Sequence, residues 1–262
     1  MAFDMVLEAG LVALIGLCFG SFATMVAHRL PRGESLASVH SRCPHCRKNL
    51  SAKELIPLVS WAWNRGRCAG CEAPVGLRYP AMELLQAALF LFVYHRFGLT
   101  AEGGLLMAAS VVILIMAAVD SVHYELPDSM QVALLALGIW FAQITGRPWE
   151  NVAAMALGCL GLGLVLHVGY RLVTGKDGLG LGDVKLLAVA GVWLPFTAIP
   201  AFLFTGGALG IATAALWRAR GHGPVFPFGP ALLAALFMLV TMPEIGDDFQ
   251  RFFASLYAHY LF

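Results

Sequence analysis

Two aspartates and four cysteines are the residues of this 262-residue chain whose types and spacing are best suited to chemistry. Asp120 ends the apolar run Val111 to Val119, and Asp183 closes Gly178-Leu179-Gly180-Leu181-Gly182-Asp183. Ionisable groups at the margin of a hydrocarbon slab are costly and mark function. Two carboxyls brought together share one proton and activate water, the chemistry of aspartic proteases. The same pair also suits a proton- or cation-coupled membrane transporter, because intramembrane carboxylates serve such relays.

The cysteines form C-x2-C twice, at Cys43 and Cys46 and at Cys68 and Cys71, with 21 residues between the pairs. The phrases Arg42-Cys-Pro-His-Cys-Arg-Lys-Asn-Leu50 and Arg67-Cys-Ala-Gly-Cys-Glu-Ala-Pro-Val75 make a repeat of 25 residues. Four thiolates on two tight turns suit a closed, structural zinc site that would fold a segment too small for its own core. Two disulfides are the structural alternative, disfavoured if the segment faces a reducing compartment. His45, between the first two cysteines, is a competing ligand. Cys18 and Cys159 lie in apolar runs and read as small buried hydrophobes.

These residues must be positioned by helices in a bilayer. The chain is 59% hydrophobic and 13% charged, against about 25% charged in soluble domains. Apolar runs at 9–27, 82–95, 103–119, 129–145, 151–170, 184–199, 201–217 and 224–242 approach or reach the length of a membrane span. The expected fold is therefore all-α and polytopic, with about eight transmembrane helices and a small polar insert after the first. The sixth run is short and interrupted by Pro195, as in a kinked span or half of a re-entrant hairpin. Asp4 and Glu8 stand where a cleavable signal would be basic. From about Ile245, Phe249, Phe252, Phe253, Leu256, Tyr260 and Leu261 recur at helical spacing, as in an interfacial amphipathic helix or a terminal helix packed on the bundle.

Charge orients this bundle. With eight spans and the N-terminus outside, all 17 lysines and arginines except Arg96, Arg147 and Arg251 lie inside, as the positive-inside rule requires. Asp120 and Asp183 then reach the same face at the same depth. A net charge of +1 gives no reason to expect nucleic acid as a partner. Asp128 reads as a helix-start charge favoured by the dipole, and Asp183 has the same N-terminal alternative. Asp120 has none, since a negative charge is disfavoured at a helix C-terminus. The glycines at 178, 180 and 182 allow positive φ and close approach of a substrate strand. No strand, Gly-Lys-Ser/Thr or βαβ pattern makes them a nucleotide loop. Glu125, Asp128 and Asp177 lie near the same edge, either as solvated surface charges or as an attraction for a basic segment. Gly16 and Gly20 read as helix-packing contacts, and His28, His123 and His167 as packing or interfacial residues.

Nearly the whole chain resembles the prepilin peptidases, or type IV leader peptidases, of the GxGD class of membrane aspartic proteases. The resemblance rests on Gly20-Ser21-Phe22, Arg29-Leu30-Pro31, the two C-x2-C pairs, Gly66-Arg67-Cys68 and Arg78-Tyr79-Pro80 with Glu83. It continues through Asp120 with Leu126-Pro127-Asp128, then Gly180-Leu181-Gly182-Asp183-Val184-Lys185, and Pro227-Phe228-Gly229-Pro230. It departs at Ala23-Thr24-Met25, where many relatives have Leu-Asn-Val. The resemblance implies Asp120 and Asp183 as the catalytic pair of a bacterial inner-membrane endopeptidase. Its implied partners are type IV prepilins or type II secretion pseudopilins, whose basic leaders are cut at the cytoplasmic face. It also implies N-methylation of the new terminus with S-adenosylmethionine. The expected organisation is a first transmembrane helix at 1–27, a cytoplasmic zinc-binding domain at 28–80, a protease bundle at 81–243 and an amphipathic segment at 244–262.

Overall fold

The computed structural model describes residues 2–37, 41–176, 178–223 and 225–261, so Asp177 lies outside the described residues. Among them the chain forms ten α-helices and no strand. It divides into two compact units, Met1–Ile115 and Met116–Phe262, with one helix running through the division.

The first unit is built on α1 (Ala2–Arg29) packed along α3 (Arg78–Phe97). Gly20 lets the two backbones meet, because a Cβ there would lie 2.5 Å from the Glu83 Cα; Gly16 does the same against Ala87. Both glycines are therefore packing residues, as expected. The Tyr94 hydroxyl donates to Glu8 at 2.6 Å near the start of α1. After α1 a 3-10 turn, Leu30–Arg32, ends at Gly33 with φ of 64°. The cysteine segment and the short α2 (Val59–Trp63) follow before α3 begins. Gln86 of α3 donates to Ser110 on α4 (Ala101–His123) at 2.7 Å. Cys18 is exposed on α1, contrary to expectation, because it faces away from the α3 seam, whereas Cys159 is buried.

The second unit takes the end of α4, then α5 (Asp128–Ile144), α6 (Trp149–Thr174), α7 (Leu181–Trp193), α8 (Ile199–Ala219), α9 (Gly229–Thr241) and α10 (Glu244–Leu261). At its centre is α7, packed by α5, α6 and α9, with most residues from Val184 to Trp193 buried. A helix that is apolar all round is one enclosed by others. Arg147, half-buried after α5, closes its C-terminal end. Its Nη1 donates to Val192 and Trp193 carbonyls at 2.7 and 2.9 Å, and its Nη2 to Leu194 at 2.9 Å. These are carbonyls that a helix end leaves without an internal partner.

Each of the eight apolar runs contains most or all of a helix. By length and composition, four helical segments qualify as spans: Asp4–Arg32, Ala101–His123, Trp149–Thr174 and Phe196–Ala219. A fifth arises if Gly229–Thr241 and Glu244–Ser255, bent by 93°, count as one. With 13 residues, α7 is only about 20 Å long, short of ~30 Å of hydrocarbon. The run at 184–199 is divided: α7 stops at Trp193, and Pro195 opens a 3-10 turn leading into α8. These are the helices of a membrane protein. The helix expected near the C-terminus is present as α10. Phe249 packs on Phe204 of α8 at 5.4 Å, while Phe252 and Phe253 are exposed. The side chains of Leu256, Tyr260 and Leu261 lie outside the described residues.

Candidate active site and metal centre

In the first unit the 25-residue repeat is a repeat of structure. Cys43 N–H donates to Lys48 at 3.0 Å, and Cys68 N–H donates to Ala73 at 2.9 Å. The amides of Arg47 and Glu72 return to Cys43 and Cys68, each at 2.9 Å, and both residues have φ of 57°. Isolated bridges Arg42–Asn49 and Arg67–Pro74 close the two knuckles. The four Sγ atoms lie within 4.8 Å of one another, with Cys43–Cys71 at 3.9 Å and Cys46–Cys68 at 4.0 Å. With Zn–S of about 2.3 Å, a tetrahedral site places its sulfurs about 3.8 Å apart. The donor set therefore fits zinc, and the sulfurs are about twice an S–S bond apart. Hydrogen bonds from the Gly70 and Cys71 amides draw the Cys68 thiol down to about 6, while Cys71, despite the Ala73 amide, is pushed up to about 11 by burial and its sulfur neighbours, so the cluster shares its protons. His45 is exposed and outside the cluster.

In the second unit α4 carries Asp120 in its last turns, and the chain turns at Tyr124, whose φ is 57°. Asp120 is 5% exposed, and its Oδ2 accepts the Gly229 amide at 3.0 Å. That amide opens α9, so the positive end of a helix faces the carboxylate. Gly180 is the N-cap of α7, which places Asp183 at its third residue. The Asp183 carboxylate turns back over Gly180, where a Cβ would stand 3.3 Å from its Oδ2. Asp183 is half-buried and feels the Asp120 charge directly. Leu126 fills the space beside both: a Cβ on Gly182 would meet its Cβ at 3.3 Å, and one on Gly229 its Cδ2 at 2.9 Å. The structure thus brings together two carboxyls on separate helices, with Leu126 packed beside both segments and Asp120 held by a backbone amide. Such a pair can share a proton and act as base and acid.

Residues 14–97 match the bacterial peptidase A24 N-terminal domain, and residues 107–215 match the type IV leader peptidase family. The prepilin leader peptidase/N-methyltransferase of Stutzerimonas stutzeri is 34% identical over 91% of this chain and 92% of its own. The chain belongs to the type IV leader peptidase family. The Neisseria gonorrhoeae protein of the same name is 34% identical over 88% of this chain and 89% of its own. The Klebsiella pneumoniae one is 39% identical over 71% and 85%. No solved structure matches. This family peptidase is an enzyme.

Around the pair, the remaining sequence readings fall differently. Asp128 is the first residue of α5 and, exposed, meets Lys185 Nζ at 2.6 Å. It is a surface helix-start charge, as expected. Glu125 and His28 are exposed, and His123 is half-buried. The glycines at 178, 180 and 182 do not adopt positive φ. Gly178 instead makes room for the Tyr170 ring, which a Cβ would approach to 2.4 Å. His167, read only as a packing residue, has Nδ1 2.6 Å from the Leu179 carbonyl and pins the glycine-rich segment. Gln131 gave no signal in the sequence. It is 4% exposed, and its Nε2 donates to Gly182 and Leu126 carbonyls at 3.2 and 3.4 Å, tying the two aspartate segments to α5. Gly229 had one signal, its place in Pro-Phe-Gly-Pro, but nothing in that phrase points to Asp120.

Proposed function

We propose that this peptidase is a membrane aspartic endopeptidase that removes the basic leader of type IV prepilins or type II secretion pseudopilins. The cut is made at the cytoplasmic face of a bacterial inner membrane. One observation carries the reading: Asp120 and Asp183, 63 positions apart (183 − 120), converge where Leu126 packs against both Gly182 and Gly229, with Asp120 anchored by the Gly229 amide. With one proton shared, the ionised carboxylate takes a proton from water while the protonated one donates to the scissile carbonyl. The water oxygen bonds to the carbonyl carbon, and the C–N bond then breaks as the amine receives a proton. The Gly229 amide holds an Asp120 oxygen in place for its transfer.

Eight membrane segments with the N-terminus in the periplasm agree with the distribution of lysine and arginine. Helices shorter than the bilayer, such as α7, are tolerated where neighbours enclose them. The four cysteines hold a structural zinc in a cytoplasmic domain. The enzyme also N-methylates the new terminus of its product. S-adenosylmethionine, when bound, supplies an electrophilic methyl group on a sulfonium. The acceptor would be the amine that cleavage frees at the new terminus, which would give up a proton to solvent.

The test is cleavage of a co-expressed prepilin. Asp120→Asn and Asp183→Asn are each expected to abolish processing while the protein stays at wild-type level in the membrane. Undiminished processing by either variant removes the catalytic assignment.

A further inference from the structure

The unit formed by α1, the cysteine module and α3 encloses a cavity of about 850 Å³, within the range of small-molecule sites, roughly 300 to 1,000 Å³. Its walls are the last turns of α1, α2 with its neighbours, and the first turns of α3. Three chemical features meet there. Glu83 is a carboxylate only 7% exposed; a charge so buried needs compensation. The rings of Trp61 and Tyr79 also line the space, and aromatic faces accept both bases and cations. Arg29 and Arg32 bring guanidinium groups suited to a carboxylate.

The backbone beside Glu83 is unusual. Leu58 has φ of 60° and ψ of −49°, and the Val59 amide donates to Pro57 at 2.6 Å, a strained γ-turn. The Glu83 Oε2 accepts the Leu58 amide at 2.8 Å and so holds this turn against the cavity wall. Strain retained next to a buried charge is an observation from which function is inferred. On α1, Thr24 lines the same space, its hydroxyl donating to the Gly20 carbonyl at 2.9 Å.

We propose that this cavity is the site of the methyl donor S-adenosylmethionine, with Glu83 as the buried counter-charge to its sulfonium. The adenine is received against the aromatic rings, and the methionyl carboxylate by the arginines. The inference rests on the methyl-transfer reading above and adds its location and residues.

The experiment measures binding, not turnover. Purified full-length protein is titrated calorimetrically with S-adenosylmethionine and with S-adenosylhomocysteine, which has the same groups but a neutral thioether. Glu83→Gln retains an oxygen to accept the Leu58 amide and loses only the charge. It is expected to weaken S-adenosylmethionine about tenfold and leave S-adenosylhomocysteine unchanged, with an unchanged thermal melt. Trp61→Leu is expected to weaken both ligands alike. Equal loss of both ligands in Glu83→Gln overturns the counter-charge, and unchanged binding in both variants overturns the site. If the wild-type protein binds neither ligand, the methyl-transfer reading falls with it.

Discussion

At the scale of single residues, Asp120 and Asp183 differ in how they are held. Asp120 is enclosed and faces a helix N-terminus through Gly229, whereas Asp183 sits in the first turn of its own helix. Because catalysis needs one carboxyl ionised and the other protonated, activity should be bell-shaped in pH. Below the optimum both are protonated and the base is lost; above it both are ionised and the acid is lost. A profile of kcat against pH with a single sigmoidal limb would contradict a shared proton. Gly229→Ala tests the anchor, because its Cβ would lie 2.7 Å from the Asp120 Oδ2 and 2.9 Å from Leu126. Displacing a catalytic group by about 1 Å costs roughly 100-fold, so kcat should fall by about that factor. The protein should remain folded by its thermal melt.

At the scale of elements, the pair depends on how helix ends are joined. The turn after α4, the start of α7 and the start of α9 meet at one place because Leu126 packs between glycines and Gln131 spans two loops. Gln131→Leu keeps the volume but leaves two carbonyls without their donor, at about 1 kcal/mol each. The expected result is a kcat lowered about tenfold, as the two aspartate segments lose their common tie to α5. An unaltered kcat would show that the loops hold their positions without it. The Arg147 fork plays the corresponding structural role at the far end of α7.

At the scale of the whole molecule, the two candidate sites lie in separate compact units. The cysteines, their knuckles and the 850 Å³ cavity belong to the first, while both aspartates and the groups that anchor them belong to the second. A module with so little buried apolar surface of its own should depend on metal for its fold. The purified protein should therefore contain about one zinc per chain by elemental analysis, as a four-thiolate site requires. Chelation should expose the sites after Arg42, Arg47, Arg65 and Arg67 to trypsin, while cleavage after Arg171, Arg218 and Arg220 stays unchanged. A module equally resistant with and without metal would remove zinc from its folding.

What was legible in the sequence was local or periodic. Eight apolar runs marked eight helices, since burial in lipid needs only a continuous apolar stretch. The cysteine repeat marked two knuckles, since a tight turn is written in a few adjacent residues. Asp120 and Asp183 stood out because their charge was misplaced against an apolar background. The tertiary structure decided what lies next to them. A backbone amide such as Gly229, a buried amide side chain such as Gln131 and a histidine turned onto the Leu179 carbonyl carry no pattern of their own, because hydrogen bonds across 51 or 109 positions depend on packing rather than spacing. The same holds for α7: its apolar run ended at Trp193 and not beyond because Pro195 and the Arg147 fork close the helix there.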